Sequence, residues 1–338
     1  VDFTIYAPLH LTKERLDDLT SPALFFPGLG ENFAIFLNGH PLAREIHIRG
    51  GEIERRRTEL SYAVPVRREF LKPGENLLTI QLLGEMPPDG KAGPVPGLFY
   101  DGGYFLGELQ DARDQSIDLF NIILVSLYLA FGFYFLFIFV RRPEELYGLH
   151  FFLFTLGTFG FYFFRTRIAY DLIANTEHLT RWENASIFFL PGVLMLFLIT
   201  YLRHREPMPI WGWTVGGLNA LFSLLVLIVP FSLVADLVAY WRLIQIPLMI
   251  WLPIFMIISI RRKDRDAGKF FIALGFLLSA AVFDLINSLF NLVSMEPTFR
   301  WGFFGYAGLL VAIMGNRFLI SLRASEDLNQ KLELARAE

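Results

Sequence analysis

Seven long apolar runs follow one another through the later part of this chain, and no other feature restricts its fold as much. They are Ile117–Val140, Tyr147–Phe164, Ala185–Leu202, Trp211–Pro230, Tyr240–Ile260, Phe270–Val293 and Trp301–Ile320, each of 18 to 24 residues. A helix rises about 1.5 Å per residue, so about 20 apolar residues cross the roughly 30 Å of hydrocarbon in a bilayer. Buried helices of a soluble protein are the rival explanation. Seven such lengths in series, divided by short charged loops, do not suit it. Composition agrees, with 54% hydrophobic residues, 36 Phe and 19% charged residues, where a soluble domain carries about 25%. A net charge of -3 gives nucleic acid no electrostatic footing. There is no cysteine, which excludes disulfides, thiolate metal sites and cysteine nucleophiles.

Lys and Arg in short loops set the orientation of such a bundle. One set of loops holds Arg141, Arg142, Arg203, Arg205, Arg261, Arg262, Lys263, Arg265 and Lys269; the other holds Arg165, Arg167, Arg181 and Arg300. Nine against four places the first set in the cytoplasm, and Arg317 and Arg323 then fall on the same side. Arg242, just inside an outer boundary, runs slightly against this assignment. Trp182, Trp211, Trp213, Trp241 and Trp301 lie near span ends, as an interfacial aromatic belt requires, and Trp251 sits mid-span.

Residues 1–112 have a different character. Ala34–Leu37 runs into Asn38-Gly39, a pair that supplies the positive φ of a two-residue hairpin. Lys72-Pro73-Gly74-Glu75-Asn76 is a turn feeding the apolar strand Leu77–Leu83. Short strands at this spacing predict an antiparallel sandwich. The first thirty residues look irregular and are expected to be the remnant of a larger domain. The chain opens at Val1 with no charged segment followed by an apolar one and ends at LNQKLELARAE in mid-helix, so the expectation is a fragment whose signal peptide has been removed or left out.

Four clusters have mechanical or chemical meaning. Phe318, Ser321, Ser325, Leu328, Leu332 and Ala335 follow 3-4 spacing and predict a two-stranded coiled-coil seam continuing the last span; an amphipathic helix on the membrane surface is the alternative. Asp284, Asn287, Ser288 and Asn291 share one face of the sixth span, where a carboxylate normally faces the bundle interior. That face reads as interhelical glue, as a switch whose hydrogen bonds differ between two states, or as an ion path. His150 and Asn316 are possible partners. Gly302, Gly305, Gly308, Ala312 and Gly315 let the seventh span approach a neighbour closely, within the bundle or across a dimer seam. Arg55-Arg56-Arg57 is read as a solvated face, with an anionic ligand or partner as the alternative. The outer domain has no Trp, so its residues give sugar stacking no support. There is no mid-span Lys for a Schiff base, no HExxH and no phosphate loop; neither catalytic residues, nor a metal site, nor a cofactor is expected.

Several stretches resemble the bacterial seven-transmembrane receptors with diverse intracellular signalling modules. FAIFLNGHPL and FLKPGENLLTIQLL resemble that family's jelly-roll region next to the membrane, and RRPEELYGLHFFLFTLGTFGFYFFR its second span. RRKDRDAGKFFIALGFLLSAAVFDLINSL resembles its sixth span, with Asp284 as the acidic residue, and GNRFLISLRASEDLNQKLE the exit helix. The resemblance implies a periplasmic sensing domain, a seven-helix transducer in the inner membrane and a cytoplasmic output such as a histidine kinase, cyclase or phosphatase. This sequence contains no output module.

The expected architecture is therefore a membrane α-helical bundle of seven spans preceded by an extracytoplasmic all-β, jelly-roll-like sandwich. Its divisions are a sensor domain at 1–112, a transmembrane domain at 113–320 and the start of a signalling coiled coil at 321–338. The expected function is a receptor, itself not an enzyme, that relays an outer stimulus through the seventh helix. Its expected partners are membrane lipid, a second copy of the chain and an outer ligand that is a small molecule, a carbohydrate or a protein. The rivals are a transporter with a midplane site at Asp284 and Asn287, and an accessory protein that binds a partner through its outer domain.

Overall fold

The computed structural model describes residues 2–50, 52–84, 97–98, 103–116, 119–203, 206–264, 266–290 and 298–337. Its N-terminal part is two antiparallel sheets. The first has the order β1 (Asp2–Leu11), β8 (Gly74–Leu83), β3 (Phe33–Leu37), β4 (His40–Glu45). The second has the order β10 (Phe105–Glu108), β2 (Pro22–Gly30), β7 (Glu59–Pro65), with β9 (Gly97–Leu98) also paired to β2. A small ribbon joins β5 (Ile48–Arg49) to β6 (Glu52–Ile53). Alternating apolar residues of both sheets meet in one core, with Leu29, Phe33, Ile35, Leu37 and Leu82 fully buried.

Both turn signals are realised, and they lock together. Asn38 and Gly39 have φ of 50° and 83°, closing the β3–β4 hairpin. The Asn38 amide donates to Asn76 Oδ1 at 2.8 Å, while Leu77 N donates back to Asn38 Oδ1 at 2.8 Å. Asn76 Oδ1 also accepts from Lys72 N at 3.0 Å, which holds the second turn shut.

The first thirty residues are regular, which corrects the expectation of an irregular stretch. They form β1, a ten-residue strand, and β2, a nine-residue strand hydrogen-bonded on both sides. Phe3, Ile5, Ala7 and Leu9 pack against the core while their neighbours face out. Pro8 disguised the alternation, but β1 lies at the end of its sheet, where a missing N–H is tolerated. In β2 the pairing with β7 lapses at Pro27, opposite Ser61 at φ 50°, and resumes at Gly28.

Helices make up the remainder. Five stretches among the described residues are long and apolar enough to cross a bilayer: Leu109–Arg141, Leu146–Phe163, Thr176–Leu202, Ile210–Ile228 and Phe231–Arg261. Two shorter apolar segments, Ala267–Ala280 and Trp301–Asn316, lie within longer helices. The helices are α2 (Leu109–Ser116), α3 (Leu119–Arg141), α4 (Leu146–Phe163), α6 (Thr176–Leu202), α7 (Ile210–Ile228), α8 (Val234–Arg261), α9 (Ala267–Phe290) and α10 (Phe299–Ala337). Short helices α1 (Lys13–Asp18) and α5 (Arg167–Leu172) complete the α-helices among the described residues. Two helices begin well before their apolar runs, α6 at Thr176 rather than Ala185 and α8 at Val234 rather than Tyr240. The first turn of α6, Thr176-Glu177-His178, is polar, so hydropathy alone misses it, whereas α8 opens on Val234-Ala235 with Asp236 in its first turn.

Contacts divide the chain into two compact units. One comprises Val1–Leu127, Leu156–Gly192 and Gly217–Arg242; the other comprises Tyr128–Thr155, Val193–Gly216 and Leu243–Glu338. Two of the divisions fall at weak points of helices: next to Pro191 in α6, and between Gly216 and Gly217 in α7. In the second unit, aromatic rings from four helices, Phe135, Phe151, Phe197, Tyr201 and Phe270, pack in a continuous chain of contacts. There α10 lies close on α9: a Cβ at Gly302 would collide with Ala280, and one at Gly305 with the Phe276 ring. Gly302 and Gly305 thus serve packing within the chain.

Candidate functional site

The feature with the most chemistry lies in the first unit, where the sheets grip the starts of the helices. It grows from the basic run Arg55-Arg56-Arg57. Only Arg55, at 39% side-chain exposure, fits the expected solvated face; Arg56 and Arg57 keep 12% and 15%. Charges this buried need partners. Arg56 Nη1 donates to Glu31 Oε2 at 2.6 Å, and Glu31 is itself 1% exposed. Arg57 Nε donates to Glu59 Oε1 at 2.7 Å, and its Nη1 donates to the Tyr170 carbonyl at 2.7 Å. Tyr170 lies in α5, in the connection between α4 and α6.

The backbone of the same segment forms the second layer of the grip. Thr176 N donates to Arg56 O at 2.9 Å, and Thr58 N donates to Thr176 Oγ1 at 2.8 Å. Thr176 opens α6, so one of the N–H groups that a helix start leaves without an intrahelical partner is satisfied by the β domain. Reaching the other way, Arg167 Nη1 donates to Ser61 O at 3.0 Å, at the irregular point of β7. Asn32 N donates to Arg57 O at 3.3 Å, tying this strap of residues 55–58 back to the turn between the sheets.

A third contact reaches the connection between α7 and α8. Phe231 meets two guanidinium groups: Arg56 lies 5.1 Å and Arg181 5.8 Å from its ring centroid. Such contacts are worth about 0.5–2 kcal/mol each, more as water is excluded. Arg181 also donates to the carbonyls of Val226 and Val229 at 2.9 and 2.7 Å, capping the C-terminus of α7, and pairs with Glu177 at 2.8 Å. A fourth link is α2, where Ala112 is buried against Ala23 and Phe25 of β2. Glu108, just before α2, accepts from Thr20 N and Ser21 N at 2.5 and 3.0 Å. The strap, the α5 connection, the Phe231 turn and α2 together join the sheets to helix segments. Burial pushes the Glu59 carboxyl above its ordinary pKa despite Arg57 beside it, and pushes the Tyr62 hydroxyl up as well.

The residues singled out by sequence lie elsewhere. Asp284 and Ser288 fall within α9, and Asn287 is half-buried there; the side chains of Asp284 and Ser288, and all of Asn291, lie outside the described residues. Of the partners suggested for Asp284, His150 is engaged by Thr200, with Nδ1 3.1 Å from Oγ1, and Asn316 is exposed. Phe318, Ser321, Ser325, Leu328, Leu332 and Ala335 all lie in α10, one continuous helix of 39 residues, but their side chains are outside the described set. Hydropathy could not reveal Thr176, Arg167, Tyr170, Phe231 or Arg181. The only sequence signal at the junction was the Arg55–Arg57 run itself. Among the described residues no group of three His, Asp or Glu could hold a metal ion.

A family model described as 7TM diverse intracellular signalling matches residues 117–322, well over half of the 338-residue chain. The chain belongs to this family. Membership makes it a multi-pass membrane signalling receptor. No curated protein matches the chain. Among solved structures, a β-D-mannosidase from Dictyoglomus thermophilum is similar at 23% identity, over 24% of this chain and 8% of that one, with a TM-score of 0.18. The chain thus spans a small fraction of that protein, and a match so short and loose carries no argument.

Proposed function

We propose that this 7TM signalling receptor senses an extracytoplasmic stimulus through its β domain, a jelly-roll-like sandwich at 1–112. The stimulus reaches seven membrane spans at 113–320 by way of the strap. The seventh helix then relays it through a dimeric coiled coil, beginning at 321–338, to a cytoplasmic output module. The protein sits in the bacterial inner membrane with its N-terminus periplasmic and its C-terminus cytoplasmic. The observation that carries this reading is the strap, because Arg56, Arg57 and Thr58 bond directly to the α5 connection and to the first residue of α6. A displacement of the β domain then has a polar, directional path to helix starts, and a passive tether needs none.

The test uses the full chain in membranes with a histidine kinase or cyclase fused after Glu338. Thr176→Val removes the oxygen that accepts from Thr58 N. It is expected to shift the resting output about fivefold or more, in the range of ordinary coupling free energies, with the folded yield unchanged. Thr176→Ser, which keeps the hydroxyl, should stay near the original. Output identical in all three proteins, at equal folded amounts, would remove the strap as the path.

A further inference from the structure

Among the described residues of the first unit, the segment that the strap holds presents an uncovered apolar face. It is α5, a short helix capped by the Thr166 hydroxyl, which accepts from Ala169 N at 3.4 Å. Ala169 points inward and is fully buried. Ile168 and Leu172 stand four apart, so they share a face, and they remain 42% and 71% exposed. Arg167 and Asp171, also four apart, run beside that face and pair with each other at 3.6 Å. α5 therefore carries an apolar stripe next to a charged one.

The level of α5 in the molecule says what covers the stripe. α4 ends at Phe163, and the ring of the next residue, Phe164, stacks on Trp182 of α6 at 6.1 Å. Trp182 is exposed and comes three residues before Ala185, where the apolar run of α6 begins. Such aromatic side chains at the ends of apolar spans mark the headgroup level of a bilayer. From Trp182 the helix continues back to Thr176, six residues and so a rise of about 9 Å. α5 connects these two levels, with Ile168 four residues beyond Phe164. One headgroup layer is about 5–8 Å deep, which puts α5 at its depth. The exposed face of α5 is then continuous with the lipid-facing surface that the spans of a multi-pass membrane protein must have. We propose that α5 is an interfacial anchor, whose Ile168 and Leu172 insert among the phospholipids of the leaflet next to the β domain. The Arg167–Asp171 pair stays on the polar side, as in helices that lie in the plane of a membrane surface.

The anchor shares its residues with the joint. Arg57 donates to the Tyr170 carbonyl, and Arg167 donates to Ser61 O, so the β domain and the lipid grip the same short helix. A change in lipid packing in that leaflet reaches the strap without any ligand on the β domain; that this alters signalling rests on the receptor reading above.

The test reads immersion directly. The chain has no cysteine, so single spin labels can be attached through Ile168→Cys, Leu172→Cys and Asp171→Cys in the full chain, reconstituted in phosphatidylcholine vesicles. Oxygen concentrates in the bilayer and a charged nickel chelate stays in water, so the ratio of label collisions with the two measures contact with lipid. The ratio at Ile168→Cys and at Leu172→Cys should exceed that at Asp171→Cys by about threefold or more. Labels at both sites that meet the nickel chelate as freely as the Asp171→Cys label would leave the stripe in water and overturn the anchor. Labels that meet neither reagent would overturn it too, because protein, from this chain or a second copy, would then cover the stripe. Because no output is measured, either failure leaves the receptor reading standing. A silent Thr176→Val, conversely, would leave the anchor standing.

Discussion

Buried charge at the strap shows what individual residues contribute. Glu59 is held by Arg57, yet the loss of hydration outweighs the attraction and its pKa lies above the ordinary value of 4.5. A raised carboxylate pKa means that the folded state binds the proton more tightly than the unfolded one. The resulting stability is complete below pH 4.5 and is lost as pH rises through the folded-state value. Relative to Glu59→Gln, the original protein should therefore be most stable in acid and lose that advantage towards neutrality. Thermal denaturation of both full chains in micelles, from about pH 4 to pH 8, measures the difference. A difference that grows with pH instead would mean that Arg57 dominates Glu59.

Among the elements, α10 has the plainest mechanical consequence. It runs without interruption from Phe299 to Ala337, so the proposed relay would carry a rotation along it at fixed phase. One inserted residue turns everything beyond it by about 100°, whereas seven shift a heptad seam by only about 20°. With an output enzyme fused after Glu338, one residue inserted between Ala324 and Ser325 should lock the output on or off. A seven-residue insertion there should leave regulation largely intact. Leu328→Cys should cross-link two chains in parallel, since the chain has no cysteine of its own to interfere. The same output for every insertion length, with no cross-link, would make the tail a passive tether and remove the coiled coil from the proposal.

Orientation belongs to the scale of the whole molecule. The proposed orientation, with Arg261–Lys269 in the cytoplasm and the β domain outside, rests on the excess of Lys and Arg in alternate loops. Cysteines introduced at Asn38 and at Lys263 should be labelled by an impermeant reagent from opposite faces of the membrane. Labelling of both from the same face would reverse one end of the arrangement and leave the strap without a route inward.

Sequence alone determined the class of this protein, because hydrophobic length is a one-dimensional property. The seven apolar runs and the helices found on them depend on local composition, not on distant partners. The Asn38-Gly39 hairpin was legible for the same reason, since positive φ is demanded within two residues. What tertiary structure decided is each place where the meaning of a residue lies in a distant one. β1 and β2 looked irregular because Pro8 and Pro27 break the pattern, and only their positions in the sheets accommodate them. The polar start of α6 carries no hydropathy signal, and Thr176 is held by Arg56 and Thr58, more than a hundred residues earlier in the chain. Arg56 and Arg57 looked like a solvated charge run because a sequence cannot show that Glu31, Glu59, Tyr170 and Phe231 converge on them. Burial turns such a run into a joint, and burial depends on which segments the folded chain brings together.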